Sequence, residues 1–482
     1  MRATVKPELE YNLLMDTDSY KLSHWNQYPP GLRGMMSYFE SRGGEFPTCT
    51  LFGLQYLLHK TLSRRLTAAM VEEASAFAGA HGEPFNRAGW MRLVERHAGR
   101  LPVRIRAIPE GLNVPVGHAI LTIESLDPEA AWLVNHIETQ LVRLWYPSTI
   151  ATASRESRKL IEAYLQRTAE EPEAEIAFKL HDFGARGVAT LEQARLGGAA
   201  HLLSFLGSDS IEGIRLANHY YDCEMAGFSI PAAEHSTITM WGREREFDAY
   251  ENLVRTYLYR EAHPADTPKV AACVSDSYDI FNAIENGWCG ERLHRLVRES
   301  GGTLVVRPDS GDPVEVILEC LEIFERKIGM RVNAKGYKVL PDYFRLIQGD
   351  GIDRPMTQKI LAAMEAAGYS ASNIAFGSGG GLLQKVDRDT QKWAFKCCSA
   401  EILGAGEVDV RKDPVTDPGK SSKAGRLDLI HRDGAFETVA LAAGAIEHEQ
   451  SMMRTVFENG EILVHHRFDE CRERMAICTH HS

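Results

Sequence analysis

The feature that most constrains this chain is a rhythm that begins near Ile176. A short apolar run ends in a cluster of polar residues and glycine, a helical pattern follows, and the whole unit recurs. Ala177–Leu180 leads into His-Asp-Phe-Gly-Ala-Arg-Gly (181–187), and Ala271–Val274 into Ser-Asp-Ser-Tyr-Asp (275–279) before a helix-like Ile280–Trp288. Thr303–Val306 leads into Arg-Pro-Asp-Ser-Gly-Asp-Pro (307–313) and then Val314–Arg326. Phe344–Ile347 leads into Gln-Gly-Asp-Gly (348–351) and a helix to about Gly368, and Asn373–Phe376 into Gly-Ser-Gly-Gly-Gly (377–381) and Leu382–Val386. Buried parallel strands read as short continuous apolar runs, and strand–helix alternation implies a parallel sheet. In βα barrels the residues that do chemistry sit just past the carboxyl ends of the strands. Nearly every chemically interesting residue here falls at such a place. The pattern predicts a TIM-like, irregular α/β barrel over 171–400. A second, α+β domain is expected from residues 1–170, completed by the tail from about 400 to 482.

The first 170 residues mix helical and strand-like stretches, such as the amphipathic run Leu51–Leu66 with Leu54, Leu57, Leu58 and Leu62 at helical spacing. The acidic stretch Thr168–Glu175, with Pro172 and no apolar anchor, reads as a linker. A length of 482 residues suits two or three domains at about 150 residues each. The 54 Lys and Arg against 66 Asp and Glu give a net charge of −12, which disfavours a sequence-independent nucleic-acid binder. With no long apolar stretch and no N-terminal apolar region, a membrane-spanning or secreted protein is not expected. The nine cysteines form no C-x-x-C pair, so reduced thiols and a cytoplasmic location are expected.

The glycine run 377–381 follows a predicted strand and opens a helix, so it reads either as a flexible turn or as a cradle in which backbone N–H groups meet a phosphate. It fits neither the dinucleotide nor the Walker A fingerprint. Arg307-Pro-Asp-Ser-Gly-Asp-Pro313 sets one cation and two carboxylates on a rigid loop. That suits phosphate oxygens and Mg²⁺ or sugar hydroxyls, or merely a turn with an N-cap before Val314. His235 stands beside Glu234 in an apolar, small-residue segment. In a strand the two would face opposite ways. Phe183 and Arg186 lie across one turn, as a stacking ring and an anion-binding fork or as a core and a surface residue. Asp16-Thr-Asp-Ser-Tyr-Lys21 resembles a helix start capped by Asp18 or Ser19. The basic stretch from Arg411 to Lys423 is either a solvated loop or part of an anion site.

Eleven segments in order carry a resemblance that runs from Tyr11 to about Phe468. They are YNLLMDTDSYKLSHWNQYPP, YFESRG, FGLQYLL, HDFGARG, LGSDS, PAAEHSTIT, VSDSYDIFNA, RPDSGDP, IQGDGID, IAFGSGGGLLQK and KDPVTDPGK. Together they closely resemble the nicotinamide phosphoribosyltransferases, type II phosphoribosyltransferases of NAD salvage. The resemblance implies reaction of nicotinamide with 5-phosphoribosyl 1-pyrophosphate to give nicotinamide mononucleotide and pyrophosphate. It also implies coupling to ATP hydrolysis through a phosphohistidine at His235, with Asp279 orienting the imidazole. On the same ground Arg186, His235 and Arg307 contact the diphosphate. Asp309, Gly349 and Asp350 hold ribose hydroxyls or Mg²⁺, partly through water, and Gly379, Gly380 and Arg388 hold the 5′-phosphate. Arg42, Lys396, Lys412 and Lys420 extend the phosphate and ATP surface. Phe183 stacks on one face of the pyridine ring, Tyr20 of a second subunit on the other, and Asp209 accepts the carboxamide N–H₂, so a homodimer with shared active sites is implied.

The chain departs from the family pattern at Ala185, where relatives carry an aromatic, in the short loop after Arg42, over Tyr259–Pro268 and from Glu470 onward. Two other readings compete. A nicotinate phosphoribosyltransferase shares fold and donor, but a carboxylate at Asp209 would repel nicotinate. A non-catalytic nucleotide sensor would need no phosphorylatable histidine.

Overall fold

The computed structural model describes residues 8–259, 268–416 and 421–477. The chain divides into two compact units, Met1–Thr152 with Asp387–Ser482, and Ala153–Val386.

The first unit is built on a seven-stranded sheet whose strands run, in spatial order, Gly406–Asp409, Trp393–Ile402, Leu32–Ser41, Ala119–Ser125, Val103–Ala107, Arg454–Glu458 and Glu461–Ile462. Its longest pairing joins Leu32–Ser41 antiparallel to Trp393–Ile402, so one sheet knits the N-terminal third to the tail. Phe39 stacks on Trp393 with ring centroids 4.9 Å apart. The buried Arg106 pairs with the buried Asp428 at 3.1 Å, fastening the tail to the sheet. The Leu-rich run is helical over Leu54–Leu57 and continues as a wider π turn over Leu58–Leu62, with all four spaced leucines buried.

Among its described residues the second unit holds six parallel strands: β1 (Leu180–Asp182), β2 (Gly207–Ser208), β3 (Val270–Val274), β4 (Thr303–Arg307), β5 (Phe344–Gln348) and β6 (Ile374–Ser378). Their spatial order is β2-β1-β6-β5-β4-β3, so neighbours follow chain order and the last strand pairs with the first. The regular sheet has six strands rather than the eight of a TIM barrel, and its edges are β2 and β3. Both edges carry one parallel bridge to a single segment, Gly207 to Phe228 and Ala232 to Ala272. Cys273, Leu304, Val306, Leu346, Ile374 and Phe376 pack outward into a buried layer with helices such as Pro313–Ile328 and Arg354–Ala366.

Residues 168–175 are part of this unit and not a free linker. The Thr168 carbonyl accepts from Asn333 Nδ2 and Ser370 Oγ, each at 2.8 Å, and Pro172 starts a helical turn, Pro172–Glu175. The unit division falls inside the helix Trp145–Thr168, between Thr152 and Ala153, where composition gives no signal. Among the described residues, no helix is long and apolar enough to cross a membrane.

Candidate active site

A strand's period of two decides what its inner face presents. Ala272, Val305 and Ile347 are buried together, with Phe183, Ile230, Val270 and Ala375 packed against them. One step further along the same faces come Arg307, Gly349 and Gly377. Phe183 requires the glycine at 377, where a Cβ would lie 1.9 Å from its Cε2; at Gly349 a Cβ would meet Asp309 Oδ1 at 3.3 Å and Phe183 Cε2 at 3.4 Å. Phe183 is held by its own N–H, which donates to the Ser378 carbonyl at 3.0 Å. The preceding Asp182 is buried, and its Oδ1 accepts the Gly184 N–H at 2.7 Å, which turns the chain after the ring.

Asp209 follows β2. Its Oδ1 accepts from His181 Nε2 at 3.0 Å and from the Ser229 hydroxyl. Burial pushes the Asp209 carboxyl up, but those two bonds and the Arg307 charge outweigh it and hold the group below the usual carboxylate range. The site therefore presents a charged acceptor beside an aromatic ring, since the His181 and Phe183 centroids are 5.3 Å apart.

His235 begins the short helix His235–Thr239, with Glu234 as its extended N-cap. Its Nε2 lies 2.9 Å from Asp276 Oδ1, and Ser310 donates to the other oxygen of that carboxylate. Arg307, at the end of β4, reaches the Ala233 carbonyl at 3.4 Å and Asp309 Oδ1 at 3.8 Å. Burial raises the Asp309 carboxyl, with Asp276 and Asp350 adding to the rise while Arg307 and His235 oppose it. Three carboxylates thus face a single cluster with one guanidinium and one imidazole.

Gly379 and Gly380 open the four-residue helix Gly380–Leu383, whose first N–H groups lack intrahelical partners. The run is pressed against its neighbour loop. A Cβ at Gly381 would lie 2.3 Å from the Ile352 carbonyl, which already accepts the Ser378 hydroxyl at 2.7 Å.

In the first unit, burial lowers the Lys396 ammonium, and the cations Arg42, Arg388 and Lys412 push it the same way, with Glu138 opposing. These four form a mutually repelling group that an anion would relieve. Arg42 is partly neutralised by Glu40 at 2.8 Å.

The model of the nicotinate phosphoribosyltransferase (NAPRTase) family matches residues 178–461, more than half of the chain. The chain belongs to that family. A second model, the N-terminal domain of nicotinamide phosphoribosyltransferase, matches residues 12–105. The nicotinamide phosphoribosyltransferase of Xanthomonas campestris pv. campestris is 50% identical over 94% of this chain and 95% of its own length. That of Acinetobacter baylyi is 30% identical over 96% and 97%. Among solved structures, the nicotinate-nucleotide pyrophosphorylase from Pyrococcus furiosus superposes with a TM-score of 0.61 at 15% identity, covering 100% of this chain and 98% of its own. Human nicotinic acid phosphoribosyltransferase gives 0.54 at 15% identity, covering 96% and 94%. At that identity these two show a shared fold.

Phe183, Asp209, His235, Arg307, Asp309, Gly349, Asp350, Gly379 and Gly380 all lie in the second unit, at or just beyond the carboxyl ends of its strands or on the segment between β2 and β3. Arg186 is exposed on the turn after Phe183. Arg388 belongs to the first unit, and so do Arg42, Lys396, Lys412 and Tyr20. Tyr20 sits in the 3₁₀ turn Ser19–Asn26 and is 56% exposed. Asp18 makes no cap bond there and instead accepts from Thr139 at 2.6 Å. Lys420 lies outside the described residues. Asp279 does not orient His235, because it caps the helix at Ile280 by accepting the Asn282 N–H at 3.0 Å. Asp276 has that place. It is the residue just past the β3 end and its following serine, and the strand-end rule could have found it. His181 and Ser229, which carry no motif signal of their own for this role, are brought to Asp209 by the fold.

Proposed function

We propose that this chain transfers the phosphoribosyl group of 5-phosphoribosyl 1-pyrophosphate to nicotinamide, releasing pyrophosphate and making nicotinamide mononucleotide for NAD salvage. The single observation that carries the choice of acceptor is Asp209, an ionised carboxylate in a ring-binding site. An ionised carboxylate accepts hydrogen bonds from a carboxamide N–H₂ and repels a carboxylate, so nicotinamide is favoured over nicotinate. Phe183 offers a flat wall for the pyridine ring. Breaking the anomeric C–O bond puts positive charge on ribose and negative charge on the leaving diphosphate, and Arg307 and Arg186 supply cations for the latter. The glycine run offers backbone N–H groups to the 5′-phosphate.

The reading includes a homodimer with shared sites, in which Tyr20 and the cations Arg42, Arg388, Lys396 and Lys412 of one chain serve a partner's ring and phosphates. Tyr20 is an exposed aromatic, and Arg42, Arg388 and Lys412 all push the Lys396 ammonium down, as a group built for an anion would, which supports this. It also includes phosphorylation of His235 by ATP, supported by a half-exposed imidazole oriented by a buried carboxylate. For Mg²⁺, the raised Asp309 carboxyl facing Asp350 fits a divalent ion, which would screen the diphosphate charge. Among the described residues no group of three or more ligating side chains could hold a metal ion. The fit is therefore to an ion carried largely by substrate phosphates, with Asp309 and Asp350 as its protein contacts. The finer fold reading is an irregular barrel with its seam between β2 and β3, supported by the β1–β6 pairing and the two bridges to residues 228–232.

The test is product formation by the purified full chain from nicotinamide and the pyrophosphate donor, with Mg²⁺, with and without ATP. Nicotinamide mononucleotide and pyrophosphate in equal amounts are expected, with acid-labile phosphate on His235. No nucleotide product from nicotinamide would refute the reading.

A further inference from the structure

The acceptor carboxylate is held by two side chains that nothing above assigns to the reaction. His181 sits in β1, where its register partner is Gly207 of β2. A Cβ at Gly207 would lie 2.6 Å from His181 Nδ1, so the imidazole rests directly on that glycine. Phe183 flanks it at 5.3 Å. The ring is mostly enclosed, 13% exposed, while Asp209 is 49% exposed. Packing therefore fixes the direction of Nε2, which points at Asp209 Oδ1 at 3.0 Å. An ionised carboxylate only accepts, so Nε2 carries the proton. The second bond comes from Ser229, on the segment that bridges the edges of the sheet. Both bonds fall on Oδ1, and among the described residues Oδ2 has no partner.

We propose that His181 and Ser229 are positioning residues for acceptor selectivity, which saturate Asp209 Oδ1 so that Oδ2 stands as the one acceptor for the carboxamide N–H₂. This rests on the nicotinamide reading above. An Asp209 freed from both donors can rotate or point to solvent. It then loses the geometry that rewards an amide while keeping the ring wall of Phe183 and the phosphate contacts. The polar hydrogen bonds of the two donors go to Asp209, and His181 otherwise touches the Phe183 ring wall, so the predicted loss is confined to the acceptor side.

Initial rates with nicotinamide and with nicotinate are measured for the full-length wild type, His181→Phe, His181→Gln and Ser229→Ala, with the pyrophosphate donor saturating and then varied. His181→Phe keeps a ring on Gly207 but removes the donor, so KM for nicotinamide rises about tenfold, and the loss falls on KM rather than on kcat or the donor KM. His181→Gln, which restores an N–H at similar reach, recovers most of that loss. Ser229→Ala alters only an exposed hydroxyl and raises the nicotinamide KM about threefold, which keeps the idea open to test if the His181 variants fold poorly. An unchanged nicotinamide KM in both His181→Phe and Ser229→Ala, or equal losses for nicotinamide, nicotinate and the donor, overturns the proposal while leaving the acceptor reading intact. A wild type with no preference for nicotinamide overturns the acceptor reading itself.

Discussion

His235 Nε2 lies 2.9 Å from Asp276 Oδ1, a half-exposed imidazole against a carboxylate whose side chain is 4% exposed. The buried partner fixes the ring and occupies Nε2, so the proposed phosphorylation by ATP would fall on Nδ1. Ser310, bonded to the other carboxylate oxygen, ties this pair to the loop that carries Arg307 and Asp309.

Changing Asp276 to Asn should therefore disturb the ATP-linked part of the reaction most. Stimulation by ATP should fall by at least ~10-fold, the range seen when a group that orients a histidine is lost. The comparison is nucleotide synthesis with and without ATP in wild type and variant. Equal losses in both conditions would mean that Asp276 supports the fold or the donor site, not His235.

Asp209→Asn keeps the size of the side chain and removes its charge. The preference for nicotinamide over nicotinate should shrink by roughly 1–3 kcal/mol, the worth of one desolvated polar contact. The ratio of kcat/KM for the two acceptors reads this directly, and an unchanged ratio would remove Asp209 from the acceptor site.

Two glycine-to-alanine changes should have opposite signs. At Gly377 a methyl would meet the Phe183 ring at 1.9 Å, so the ring must leave and KM for the acceptor should rise roughly tenfold. At Gly79, inside the helix Ala68–His81, a methyl meets nothing within 4 Å. There alanine should stabilise by up to about 1 kcal/mol through helix propensity. Urea unfolding and acceptor kinetics on both variants check the pair.

Much of this was legible in the chain because the second unit writes most of its parallel strands as apolar runs with the functional groups just beyond them. Arg307, Asp309, Gly349 and the 377–381 run could be placed that way. β2 could not, because Gly207–Ser208 is two residues long and has no apolar run of its own. His181 was passed over for a related reason. Its contact with Asp209 depends on β1 lying beside β2, which is a fact of pairing and not of spacing. Asp276 and Asp279 are chemically identical and three residues apart, and only the helix start at Ile280 shows that the second is used as a cap. The linker reading of 168–175 failed because its anchors, Asn333 and Ser370, lie far away in the chain.

Acid should destabilise the fold in a window set by buried histidines. Burial pushes His201 down to about 3 and His136 down to about 4. Each is neutral when folded and has an ordinary value near 6.5 when unfolded, so its stabilising effect is complete above that value and is lost as pH falls through the window below it. From pH 6.5 to 5 each imidazole should remove about 2 kcal/mol. Chemical unfolding at pH 7 and pH 5 measures the slope, and His201→Asn should flatten it, since Ser154 and the Leu180 carbonyl that hold the ring can still be bonded.

One competition tests the choice of acceptor most directly. The full chain is given nicotinamide, nicotinate and quinolinate together at equal concentration, with a limiting amount of 5-phosphoribosyl 1-pyrophosphate, and the nucleotide products are separated and counted. An ionised Asp209 beside Phe183 predicts that nicotinamide mononucleotide is the dominant product, with the acid products minor. Nicotinate mononucleotide formed in equal or greater amount would contradict the account.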